Sequence, residues 1–217
     1  MSCAVVPVKA LAEAKSRMLP DLARAERAGL SLAMLSDVLE ALLATPCLDR
    51  VVVLTPDAEA AQSARSLGAE ALLRPDPGLN AAIDAAAEEL ALGEAEPFLV
   101  VLGDVAGLES EDVVRLCRSL AESSVPCAAL AASQDGGSSA LLRVPHDALP
   151  ACFGPDSARR HREAAHKAGV PLHELDLPSL ALDLDGPKDV AQFLARKTAG
   201  GVATRRFLES VGAGVVE

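Results

Sequence analysis

Carboxylates at the ends of short apolar runs are the strongest chemical signal in the sequence. Asp104 follows the run FLVVL at 98–102, and Asp183 and Asp185 stand at the end of LALDLD at 180–185. Side chains two apart on an extended chain point to the same side. In open α/β sheets, ligands bind beyond the carboxyl ends of the strands. Three carboxylates meeting there can hold a hard cation such as Mg2+, which neutralises phosphoryl oxygens during in-line transfer. The same residues serve as helix caps and solubilising charges, so the pattern alone leaves both roles open.

A second signal is basic. Lys9, Lys15 and Arg17 follow the first apolar run. Arg offers a planar fork of donors and Lys a mobile point charge, a combination that can grip a triphosphate. A solvated positive patch on an acidic protein is the other reading. Two glycine-rich turns are the third signal. Gly136-Gly137-Ser138-Ser139 either presents N–H groups and hydroxyls to an anion or is a plain β-turn. Gly154-Pro155-Asp156-Ser157 leads into a helix N-terminus, a ready anion site, where Ser157 also fits an N-cap role. The island RRHR at 159–162 either faces an anionic substrate or offsets the local acidic field.

Other chemistries find no support. GxxxxGK[ST] and GxGxxG are absent, against a P-loop enzyme and a dinucleotide-binding dehydrogenase. There is no G-x-S-x-G elbow. His146, His161, His166 and His173 form no metal-ligand pattern, and His161 and His166, five apart on a helix, do not share a face. The cysteines at 3, 47, 117, 127 and 152 contain no C-x-x-C pair. Of these, Cys3, Cys117 and Cys127 sit in apolar patterns and read as small core residues.

Alternating elements must position these residues. Strand-like runs at 3–8, 50–55, 69–73 and 98–102 alternate with helix-like stretches at 22–43, 57–67 and 79–92, and a further helix begins at Ser110. Runs at 126–132 and 140–144 flank the polar turn and predict an antiparallel pair. A helix at 158–168, strands at 172–175 and 180–184, and a helix from Pro187 to about Lys197 follow. This order predicts an α/β three-layer sandwich with a mostly parallel central sheet. It is read as one domain over 1–197 with a tail at 198–217, the tail being a frayed helix or a homodimer contact.

Composition sets the boundaries. The chain has 217 residues and a net charge of −11; half its residues are apolar, with no Trp, no Tyr and four Phe. The core must therefore be Ala, Leu and Val. No aromatic platform exists for single-stranded bases, and the net charge opposes duplex nucleic acid. No apolar run is long enough to span a bilayer, and MSCAVVPVK lacks the pattern of a secretory signal. These features predict a cytoplasmic protein without nucleic-acid or membrane partners.

Six segments in order carry a family resemblance. They are VVPVKALAEAKSRM near the start, PDPGLNAAI at 75–83, LVVLGDV at 99–105, DGGSSALL at 135–142, FGPDSARRHREAA at 153–165 and LALDLDGPKDV at 180–190. Together they resemble the 2-phospho-L-lactate guanylyltransferase family, including its bacterial phosphoenolpyruvate guanylyltransferase members. The resemblance implies a nucleotidyltransferase fold and transfer of GMP from GTP to a small phosphorylated acid, with release of pyrophosphate, in deazaflavin coenzyme biosynthesis. A downstream transferase would take the product. Phosphoenolpyruvate is the expected acceptor, ahead of 2-phospho-L-lactate and 3-phospho-D-glycerate. A molybdenum-cofactor or sugar-phosphate nucleotidyltransferase and a non-catalytic scaffold of the same fold are the alternatives. By position, Asp104, Asp183 and Asp185 match the metal-binding acids. Lys9, Lys15 and Arg17 match the basic motif near the GTP phosphates, with Lys15 counted as catalytic. Asn80 matches a position near the nucleotide, and Ser138, Gly154 and Ser157 match positions near the phosphoacid. The family's usual Leu-Pro after the first acid is Val105-Ala106 here, and its Gly-Thr-Asn turn is Gly137-Ser138-Ser139. These departures bear on the acceptor more than on the fold.

Overall fold

A computed structural model describes residues 2–12, 22–90, 93 and 95–212. Short β-branched and Leu-rich runs form the strands β1 (Cys3–Pro7), β2 (Arg50–Thr55), β3 (Glu70–Leu73), β4 (Phe98–Val101), β5 (Cys127–Ala132), β6 (Ser138–Val144) and β7 (Leu172–Leu175). They make a single sheet in the order β3-β2-β1-β4-β6-β5-β7. Only β6 runs against its neighbours; every other pairing is parallel.

The helices α1 (Arg24–Leu43), α2 (Ala58–Ser66), α3 (Leu79–Glu89), α4 (Ser110–Arg118), α5 (Ser157–Ala168), α6 (Pro187–Ala195) and α7 (Val202–Ser210) cover the sheet. Strand alternation sorts the core into two layers. Ala4, Val6, Val51, Val53, Leu99 and Val101 face Leu35, Val38 and Leu39 of α1, Ala60 of α2 and Leu116 of α4. Cys3, Val5, Val52, Phe98 and Val100 face Ile83 and Ala86 of α3 and Ala158 of α5. The near-continuous apolar composition of β2 follows from this, because both of its faces are covered. All five cysteines are free thiols, and no helix among the described residues is long and apolar enough to cross a membrane.

Two local expectations change. The stretch at 180–184 is not a strand: a short 3-10 turn over Pro178–Leu180 leads into an irregular segment outside the sheet. Its alternation survives because Leu182 and Leu184 bury against Leu30, Met34 and Phe193 in a third cluster shared by α1 and α6. Burial against helices, without a ladder partner, produced a strand-like pattern. At the start of α5 the cap position belongs to Asp156, held at φ 54°, and Ser157 is the first helical residue.

Within the 198–217 stretch, α7 packs on α1 and buries Leu208 in the same third cluster. Its first turn is capped from a distance. Asp37 of α1, 4% exposed, accepts the Ala203 and Thr204 backbone N–H groups at 2.8 Å each. The first unpaired N–H groups of a helix need such an acceptor.

Candidate functional site

The sheet order places a topological switch point between β1 and β4, because the chain leaves β1 towards β2 and β3 and returns on its other side. A cavity of about 850 Å3 opens there, beyond the carboxyl ends of these strands, as expected for open α/β sheets. Lys9 follows β1 and Asp104 follows β4, and both line it. The ends of the two strands approach closely. A Cβ on Gly103 would stand 3.3 Å from Val8 Cγ2 and 3.5 Å from Pro7 O. Downstream of Lys9 the chain is pinned by Asp57, which caps α2 through Glu59 and Ala60 and also accepts the Leu11 N–H at 3.0 Å. Lys15 and Arg17 lie outside the described residues.

Asp183 and Asp185 reach the cavity from the irregular segment before α6. That segment is stitched to the loops around it: Leu184 N–H donates to Asp104 O at 3.2 Å, and Gln134 N–H donates to Ala181 O at 2.9 Å. The Asp183 carboxyl is pushed up to about 6, first by burial and then by the negative charges of Asp104, Asp135 and Asp185. Asp135 is thus a fourth acid at the site, which the sequence reading passed over as part of a glycine turn. Its Oδ1 accepts the Gly137 N–H at 2.8 Å and the Ser133 hydroxyl. Among the described residues, no three His, Cys, Asp or Glu side chains are already drawn together as a metal cluster. The acids lie close enough for their charges to raise the proton affinity of Asp183, and they present hard oxygen donors. A cation of the magnesium type fits that donor set, since it would offset the charge repulsion that now burdens Asp183.

The loop after Asp104 lacks the proline of the family pattern and is braced instead by the chain before α7. A Cβ on Gly200 would meet Leu108 O at 2.5 Å, and one on Gly201 would meet Ala106 O at 3.1 Å. Val105 and Ala106 are fully buried beneath this contact.

The far side of the cavity is built from the β5–β6 turn and the segment leading into α5. Ser138, Gly154 and Ser157 all line it. Two of the first N–H groups of α5 are already used: Ser157 N–H donates to Gly154 O at 3.1 Å and Ala158 N–H to Gly136 O at 3.3 Å. An anion here must therefore draw more on side chains than on the bare helix end. Asn80, expected near the nucleotide, is not a lining residue. Its amide clamps Phe153 in both directions, Nδ2 donating to Phe153 O at 3.1 Å and Oδ1 accepting Phe153 N–H at 2.7 Å. Arg160 Nη2 donates to the same carbonyl at 2.9 Å. His161 is fully enclosed behind this wall. It contacts Ser138 Oγ through Nδ1 at 2.9 Å and Cys152 N through Nε2 at 3.0 Å. No spacing rule pointed to His161, because its partners lie 23 and 9 residues away.

A parallel sheet with one reversed strand, a cleft at the β1/β4 switch point, Asp104 after β4 and two further acids on the segment before α6 are the features of a nucleotidyltransferase-type α/β protein. The fold is shared with solved structures. One from Desulfovibrio desulfuricans G20, named for a nucleotide-diphospho-sugar transferase, superimposes with a TM-score of 0.76 at 17% identity, covering 97% of each chain. A 4-diphosphocytidyl-2C-methyl-D-erythritol synthase superimposes with a TM-score of 0.62 at 15% identity, over 90% of this chain and 98% of that one. Sequence narrows the assignment. The profile of the family described as guanylyl transferase CofC-like matches residues 2–217. A phosphoenolpyruvate guanylyltransferase of Sphaerobacter thermophilus is 37% identical over 91% of this chain and 94% of its own length. That of Rubrobacter xylanophilus is 39% identical over 93% and 96%. The chain belongs to the CofC-like guanylyl transferase family.

Proposed function

We propose that the protein transfers GMP from GTP to phosphoenolpyruvate and releases pyrophosphate. The observation that carries this reading is the cleft at the switch point, lined by Lys9 together with Asp104, Asp183 and Asp185. Support comes from relatives named as phosphoenolpyruvate guanylyltransferases that match over nearly their whole length.

In this reading, an oxygen of the acceptor phosphate attacks the α-phosphorus of GTP. A new phosphoanhydride bond forms, the bond from the α-phosphorus to the bridging oxygen breaks, and pyrophosphate leaves with the electron pair. The nucleophile is already an anion, so no general base is needed. The difficulty is bringing two anions together in line. Lys9 faces the triphosphate, and Lys15 and Arg17 are the other basic residues of the sequence motif assigned to it. Asp104, Asp183 and Asp185 would hold Mg2+, which when bound supplies charge neutralisation at the phosphoryl oxygens. Ser138, Gly154 and Ser157 contact the phosphorylated acid. Asn80 acts by holding the Phe153–Gly154 backbone in place. The activated product goes on to a transferase that consumes it.

The test is incubation with GTP, Mg2+ and, separately, phosphoenolpyruvate, 2-phospho-L-lactate and 3-phospho-D-glycerate. Pyrophosphate release and product mass are followed, with the consuming transferase present to trap a labile product. Phosphoenolpyruvate is expected to be the preferred acceptor. No guanylylated product with any of the three acids refutes the proposal.

A further inference from the structure

We propose that His161 is a positioning residue for the acceptor: it commits the Ser138 hydroxyl to donate its proton into the cleft, towards an anionic oxygen of the phosphorylated acid. The inference rests on the reading that Ser138 contacts that acid.

The assignment follows from hydrogen-bond roles. Nε2 of His161 lies 3.0 Å from the Cys152 backbone nitrogen. A backbone N–H only donates, so Nε2 accepts and carries no proton. The ring is neutral, because burial and then the positive charges of Arg143 and Arg160 push its pKa down to about 4. A neutral imidazole has one N–H, which must therefore sit on Nδ1. Nδ1 lies 2.9 Å from Ser138 Oγ, and neither atom's residue is more than 2% exposed. The ring proton thus occupies a lone pair of the hydroxyl.

A serine hydroxyl ordinarily rotates to donate or accept as its surroundings require. Here the ring offers no acceptor, so the serine proton turns elsewhere, and Ser138 borders the cleft. An oriented donor suits phosphate and carboxylate oxygens, which only accept. The same ring also registers the neighbouring segment. It holds Cys152 by hydrogen bond and meets the Phe153 ring edge-on, with centroids 5.1 Å apart at 74°. One side chain therefore sets the relation between the start of β6 and the backbone that carries Gly154.

Two isosteric substitutions separate the two contacts. Gln places an amide oxygen where Nε2 stood and keeps the Cys152 contact, whereas Asn places an amide nitrogen where Nδ1 stood and keeps the donor to Ser138. Ser138→Ala should raise KM for the phosphoacid about tenfold or more, the usual effect of losing a hydrogen bond to a charged group. His161→Gln should raise it about tenfold as well, His161→Asn clearly less, and KM for GTP should move less than about twofold in each. A raised KM in Ser138→Ala with an unchanged one in His161→Gln overturns the positioning role alone. An unchanged KM in Ser138→Ala overturns the placement of Ser138 at the acid. Equal damage from Gln and Asn, or a parallel rise in KM for GTP, reduces His161 to a structural residue and overturns the proposal. Imidazole 15N spectra of the wild-type protein provide a readout independent of turnover. They should show a neutral ring protonated at Nδ1 at pH 7; an Nε2–H ring overturns the proposal.

Discussion

Removing the Asp37 carboxylate should loosen the C-terminal helix and, through it, the loop that carries Asp104. Asp37 lies in the middle of α1, is 4% exposed, and accepts two backbone N–H groups of α7 at 2.8 Å each. Hydrogen bonds to a charged acceptor contribute about 1.5–3 kcal/mol each. Some of that returns when the helix end is rehydrated, so Asp37→Ala should cost about 2–3 kcal/mol. For a domain of this length about 1 kcal/mol shifts Tm by roughly 2–4 °C, which gives a fall of about 5–10 °C. Asp37→Asn keeps one acceptor oxygen and should lose about half as much. Thermal unfolding measures the loss, and hydrogen exchange locates it, with the amides of Ala203 and Thr204 losing protection first. Turnover should fall too, because Gly200 and Gly201 brace the backbone of Ala106, Gly107 and Leu108. A Tm within about 2 °C of wild type and unchanged exchange at those two amides would refute the reasoning.

Other outcomes follow from the same structure. Asp183→Asn and Asp185→Asn should each depress guanylyl transfer by about 100-fold or more, and Mg2+ should raise the Tm of wild type but not that of Asp183→Asn; full turnover in both variants contradicts the cation role. His161 has a folded pKa of about 4 against an ordinary value of 6.5. As pH falls, the unfolded chain therefore takes up the proton first, and stability present above pH 6.5 is lost towards pH 4. The wild type should lose about 3 kcal/mol more than His161→Asn across that interval, measured by denaturant unfolding at a series of pH values; parallel curves negate it. Arg143 is 1% exposed, donates to Asp84 at 2.9 Å and to Leu149 O, and stacks over Phe98 at 5.1 Å. Asp84→Ala strands that buried cation and should cost about 3–5 kcal/mol. Arg143→Met leaves only an Asp84 that water can reach and should cost less, about 2 kcal/mol; the reverse order in urea midpoints would show the pair wrongly described.

The layers of the fold were legible because run length and spacing report burial directly. RVVVLT at 50–55 is continuous because both faces are covered, and the helical spacing of Leu30, Met34, Val38 and Leu42 reports one buried stripe. The segment at 180–184 misled because burial of Leu182 and Leu184 by helices imprints the same alternation as burial in a sheet. The chemical residues divide likewise. Asp104, Asp183 and Asp185 stand out because acids interrupt apolar runs. Asp135 does not, because an acid before Gly-Gly is what any turn would use. His161 escaped because its role is set by two backbone segments distant in sequence, and no local pattern encodes that meeting. The amide bonds from Asn80 to the Phe153 backbone likewise join segments 73 residues apart, a meeting no local pattern encodes.

The reversal of β6 divides the labour around the cleft. One side of the cleft rests on the ends of β1 and β4, whose register is locked by the central sheet. The other side rests on Ser138, the first residue of a strand that enters from a turn, and on Gly154 and Ser157 between β6 and α5. Exchanges at Gly136 and Gly137 can therefore reshape the approach to Ser138 without sliding any parallel strand. The turn before β6 also ties the two sides together, because Gln134 is hydrogen-bonded to Ala181 and the charge of Asp135 acts on Asp183, so a change that moves Ser138 is felt among the acids.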